Sequence, residues 1–96
     1  MGPKTKELVE VLGRLVQMLE EDDQENWSGW MSQARKWILE SDYSGIEKVL
    51  GAYGGMGSFN DTYLSKVTRQ NENFSKLRTR AWELATEIKH EHESNT

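Results

Sequence analysis

The sequence predicts an all-α fold, a compact bundle of four to five helices with a glycine-rich helix–helix corner in its second half. Three observations lead there. Apolar residues recur at three- and four-residue spacing along most of the chain, and no stretch alternates apolar and polar as a half-buried strand does. The only proline is Pro3, so nothing downstream interrupts a helix. Gly54, Gly55 and Gly57 cluster tightly, a composition that stops one helix and permits a sharp turn.

The first helix is expected over Pro3–Glu21. Proline suits a first helical turn, where its missing N–H is not needed. Leu8, Val11 or Leu12, Leu15, Val16 and Leu19 form its apolar stripe, and Gly13 weakens it or admits a close neighbour. Glu20, Glu21, Asp22, Asp23 and Glu25 form an acidic cluster that reads as a loop. It places negative charge at the start of the next helix, where the macrodipole favours it.

The second helix is expected over Glu25–Ser41. Trp27, Trp30, Met31, Ala34, Trp37 and Ile38 make the strongest periodic signal in the chain, read as a core face carrying three tryptophans. A short third helix starts near Asp42 or Ser44, where Ser44 and Glu47 have capping-box spacing. Ile46, Val49, Leu50 and Tyr53 are its inner set, and it should stop at Gly54-Gly55.

A fourth short helical segment is expected from Ser58, with Ser58 capping the N–H at position 61 and Asp61 suiting the dipole. Phe59, Tyr63, Leu64 and Val67 are its apolar set. The last helix should run from Asn71 to His90, with Phe74, Leu77, Ala81, Leu84, Ala85 and Ile88 inward and Trp82 at the edge. Residues 91–96 read as a polar, fraying tail of a single helical domain spanning residues 1–96.

Composition narrows the function. The chain has no cysteine, no secretory leader pattern and no apolar run of spanning length, so it reads as cytoplasmic with no membrane partner. The net charge of −4 argues against nucleic acid, although Lys66, Arg69, Lys76, Arg78 and Arg80 form a basic stretch, read as a solvated helix face. The only histidines, His90 and His92, are two apart and point to different sides of a helix, so no metal site and no cofactor are expected. Ser58 would need a general base to act as a nucleophile, and none is at hand. No catalytic residues are assigned and the chain reads as a non-enzyme.

The string Asp42-Tyr43-Ser44-Gly45, followed by Leu50-Gly51-Ala52-Tyr53-Gly54-Gly55-Met56-Gly57-Ser58-Phe59-Asn60-Asp61, resembles a family of small bacterial proteins classed as a domain of unknown function. That family has a leading amphipathic helix, a tryptophan-bearing second helix and a YGGMGSxND signature. The resemblance covers Leu8 to Ile88 and brings no activity with it. By class, small acidic helical proteins of this kind are often immunity proteins, which bind and block a toxin.

Two functions follow as expectations. The first is a protein-binding module of immunity or antitoxin type, with the acidic loop Glu20, Glu21, Asp22, Asp23 and Glu25 facing a basic cleft on a toxin. The second is a small-ligand or anion-binding regulatory domain that uses the Gly54–Ser58 turn, with Lys66 or Arg69 orienting the ligand. Gly55, Gly57, Ser58, Asn60 and Asp61 are the contact residues under either reading. Dimerisation is left open, to be favoured by an unpaired aromatic on an exposed face.

Overall fold

The chain folds as helix α1 (Pro3–Glu21), helix α2 (Glu25–Leu39), helix α3 (Ser44–Gly51), a single 3₁₀ turn (Phe59–Asp61) and helix α4 (Thr68–Ser94). This computed structural model describes residues 2–54, 58–62, 64–65 and 68–94. Among them there are four α-helices and no strand, so the short fourth helical segment expected from Ser58 amounts to one 3₁₀ turn.

Helix α1 begins on Pro3 and ends at Glu21, as its spacing predicts. Its stop, however, uses no glycine. Asp23 sits at φ 61°, with its N–H donating to the Glu20 carbonyl and the Gln24 N–H donating to that of Leu19. Helix α2 ends two residues sooner than expected and in the same way. Ser41 sits at φ 62°, while the Ser41 and Asp42 N–H groups donate to the carbonyls of Ile38 and Trp37. Both are Schellman closures, in which a left-handed residue satisfies the last free carbonyls.

Helix α3 is capped differently from the expected Ser44–Glu47 box. The Asp42 carboxylate accepts from the Ser44 N–H at 2.9 Å, so Asp42 fills the N-terminal capping role. The helix then presents Gly45 to α2. A Cβ built there would stand 2.6 Å from the Ala34 carbonyl oxygen and from Ile38 Cγ1, so the two backbones meet with no room for a side chain. Helix α3 ends at Gly51, ahead of the expected glycine stop, and Gly54 does not adopt the left-handed conformation. Gly55, Met56 and Gly57, the heart of the expected corner, lie outside the described residues.

Helix α1 packs against α2 and α4, and α3 packs against α2 and α4. Lys4 Nζ lies 2.5 Å from Glu91 Oε1, and Arg80 makes a two-point ion pair with Glu7 at 2.7 and 3.0 Å, so α1 and α4 run antiparallel. The Arg80 guanidinium holds the Glu7 carboxyl below its usual range. The 27 residues of α4 set the 43 Å long axis, since a helix rises about 1.5 Å per residue. The segment read as a fraying tail is helical to Ser94 and carries the Glu91 contact.

One core joins the helices. Leu8, Leu12, Leu15 and Leu19 of α1 meet Met31, Ala34 and Ile38 of α2, Ile46 and Val49 of α3, and Phe74, Ala81, Leu84 and Ala85 of α4. None of the three tryptophans of α2 is fully buried, and Trp37 is half-buried without being packed against this core. Trp27 and Trp30 are partly buried against it, and Trp30 Nε1 donates to the Lys48 carbonyl at 2.8 Å. The Lys48 ammonium lies 4.2 Å above the Trp30 ring and 5.5 Å from that of Trp37. Its stem covers apolar surface while its charge meets the ring faces. Gly13 admits a side chain: Arg35 crosses it to donate from Nε to the Val9 carbonyl at 3.1 Å.

Candidate functional site

The contact residues expected from the sequence belong to the segment that links α3 to α4, whose described residues form a strap across the bundle. Its first anchor is backbone: the Phe59 N–H donates to the Ala52 carbonyl at 2.8 Å and closes the neck of the glycine-rich turn. Phe59 is then fully buried, ringed by Trp27, Tyr53 and Phe74 at centroid distances of 5.2, 5.6 and 5.7 Å. An aromatic plug of this kind removes a large apolar area from water at one point. Ser58 is buried beside it and precedes the 3₁₀ turn, but its side chain makes no capping bond, contrary to expectation. Its carbonyl accepts from the Thr62 hydroxyl at 3.3 Å.

Three polar side chains hold the rest of the strap, each from a different place. Asp22, read as part of an exposed acidic loop, is 8% exposed. Its carboxylate accepts from the Ser65 N–H at 3.0 Å, the Ser65 hydroxyl at 2.9 Å and Gln24 Nε2 at 2.6 Å. Asn71 brackets Leu64: its Oδ1 accepts from the Leu64 N–H, and its Nδ2 donates to the Leu64 carbonyl at 2.7 Å. Arg78, read as part of a solvated basic face, is 6% exposed. Its Nη1 donates to the Thr62 carbonyl and its Nη2 to Ser75 Oγ at 3.4 Å. The sequence reading missed all three roles. The local cue was weak: each is a polar residue adjoining a helix end or an inward stripe.

The outer face of the strap is concave. Tyr53, Asn60 and Trp82 line a shallow hollow of about 360 Å³ there. The Tyr53 phenol donates to the Arg78 carbonyl at 2.7 Å, and burial pushes its pKa well above the ordinary range. That leaves a neutral, fixed aromatic at the base of the hollow. Asn60 is exposed. Trp82 is 46% exposed, one of two large hydrophobics, with Leu39, that stand out among the described residues. Gly55 and Gly57 lie outside the described residues, as does the side chain of Asp61.

The remaining expectations separate in space. Glu20, Glu21, Asp23 and Glu25 are exposed at the α1–α2 corner, around the inward-facing Asp22. The three described cations of the basic stretch differ in their surroundings. Arg78 is inside, Arg80 pairs with Glu7, and Lys76 is exposed. Lys66 and the Arg69 side chain lie outside the described residues. His90 and His92 are exposed near the far end of α4. Among the described residues no three His, Cys, Asp or Glu side chains are grouped to hold a metal ion. No described helix is long and apolar enough to cross a membrane.

No curated protein and no solved structure matches the chain. A family model described as a domain of unknown function, DUF6966, matches residues 20–71, which run from the end of α1 through α2, α3 and the strap into the first turn of α4. That stretch is more than half of the chain and contains the acidic corner, the Asp42–Gly45 helix start and the glycine-rich turn. The chain belongs to the DUF6966 family of domains of unknown function.

Proposed function

We propose that this chain is a protein-binding module of the immunity or antitoxin type, a bacterial protein that binds a toxin and blocks it. The observation that carries the reading is Trp82, 46% exposed on a long anchored helix beside Tyr53 and Asn60. Interfaces draw most of their affinity from a few aromatic or arginine anchors. A tryptophan on a rigid helix loses little conformational freedom when a partner covers it. Tyr53 and Asn60, two residues of the glycine-rich signature, line this hollow. The exposed acids Glu20, Glu21, Asp23 and Glu25 form a second patch, suited to steering a basic cleft into place.

The test is affinity capture of the full chain from its native host, followed by purification of the captured protein. A stoichiometric partner is expected, one that arrests growth when expressed alone in a heterologous host and is harmless when co-expressed with this chain. Trp82→Ala should weaken the complex by about 30-fold or more, the effect of losing an anchor of about 2 kcal/mol. A Glu20→Lys, Glu21→Lys double variant should chiefly slow association and flatten its salt dependence. Absence of a stoichiometric partner, or a partner with no toxicity of its own, overturns the reading.

A further inference from the structure

A second concave site lies where α4 ends, on a surface that the reading above does not use. It is a groove of about 340 Å³, within the range of roughly 300–1,000 Å³ typical of small-ligand sites. Its floor is apolar. Ile38 and Ile46, each 3% exposed, come from α2 and α3, and the half-buried Ile88 comes from α4. One wall is flat and aromatic, because the Tyr43 and His92 rings stack with centroids 4.0 Å apart and planes 17° apart.

The rim is acidic. Asp42 lines the groove with one carboxylate oxygen committed to the Ser44 N–H. Glu93 and Glu47 lie close enough to Tyr43 to add to the effect of burial in raising its phenol pKa. Near that end Lys89 pairs with Glu93 at 3.8 Å and Lys4 with Glu91 at 2.5 Å. A cavity with an apolar floor, a planar wall and a carboxylate at its rim selects both a shape and a charge.

We propose that this groove binds a small organic ammonium ion with a flat apolar body, an arylalkylamine, its ring between the isoleucine floor and the Tyr43–His92 wall and its ammonium on the Asp42 carboxylate. An arylalkyl carboxylate of the same size would meet the Asp42 carboxylate with the wrong sign. The ligand needs no motion of the helices, because floor and wall are already formed by three packed elements.

The experiment titrates the full chain with tryptamine, and in parallel with indole-3-acetate, while following amide and methyl NMR shifts. Tryptamine should bind with a low-millimolar or tighter Kd and shift Ile38, Ile46, Ile88 and His92 first. Indole-3-acetate should bind about tenfold more weakly or not at all, the discrimination expected of one charge-assisted contact. Asp42→Asn keeps an acceptor for the Ser44 N–H, because asparagine caps helices as well as aspartate does. It should therefore fold normally, hold tryptamine about tenfold less tightly and lose the preference for amine over acid. No saturable shift with tryptamine, equal binding of the two probes, or an Asp42→Asn variant that binds tryptamine as the parent does would each overturn the proposal.

Discussion

Gly29 and Gly45 are the same residue in neighbouring helices with opposite surroundings. A Cβ at position 29 meets nothing within 4 Å, whereas one at position 45 would be driven into the Ala34 carbonyl and the Ile38 side chain and backbone. Gly29→Ala should therefore stabilise the fold by about 0.5–1 kcal/mol, through helix propensity and a less flexible unfolded chain. Gly45→Ala should destabilise it by about 1–3 kcal/mol, the range for overpacking a filled interface. Chemical denaturation of the two variants checks the pair, and midpoints shifted in the same direction would refute the packing argument. The sequence shows two glycines in helical stretches and gives no means of ranking them. What separates them is which backbone lies opposite, and that is settled only when α3 docks on α2.

At the scale of elements, the apolar stripes of α1 and α4 were legible because a helix converts spacing directly into a face. Leu8, Leu12, Leu15 and Leu19 are all buried, as are Phe74, Ala81, Leu84 and Ala85. The strap was less legible. Of its expected apolar set, Phe59 and Leu64 are buried, while Tyr63 and Val67 lie outside the described residues. Asp22 and Arg78 were misread as solvated and the role of Asn71 was not foreseen, because the backbone groups they serve are 43 residues from Asp22, 7 from Asn71 and 16 from Arg78. The stop of α1 was expected at Glu21, where it falls, while those of α2 and α3 come two and three residues early. Glycine marks left-handed ends only statistically, and here Asp23 and Ser41 take that conformation. Asn71→Ala should release Leu64 from its bracket, at a cost of about 1–3 kcal/mol for a pair of partly buried backbone groups left unsatisfied. Hydrogen exchange should then quicken at Leu64 and Ser65 more than along α4. Uniform quickening across all helices would mean that Asn71 acts on the whole fold and not on the strap.

The whole molecule is sensitive to pH at both ends of the scale. Glu7 has its folded pKa lowered by Arg80, so its contribution is present above the ordinary carboxylate range and is lost as pH falls through the folded value. Tyr53 works in the opposite sense. Its folded pKa is raised above the ordinary value of 10, so folding favours the protonated phenol, and stability is lost as pH rises beyond 10. One proton corresponds to a slope of about 1.4 kcal/mol per pH unit in that window. Tyr53→Phe should lose about 1 kcal/mol at neutral pH with its hydrogen bond to the Arg78 carbonyl, and should show a correspondingly flatter decline above pH 10. Denaturant midpoints of both proteins across that range test this, and parallel declines would show that Tyr53 is not the group responsible.

The helices that close the core have a consequence for what the family describes. The stretch matched to DUF6966 begins as α1 is ending and stops as α4 begins, so most of both helices lies outside it. Met31 and Phe59, both fully buried, share their core with residues of those two helices. A fragment limited to the matched stretch would leave such side chains facing water. The recognisable text and the folding unit are therefore different objects. The first records a corner, a glycine start and a strap, where backbone geometry dictates particular residues. The second needs two further helices, whose inner faces accept many apolar residues of fitting size and so leave a fainter trace in the letters.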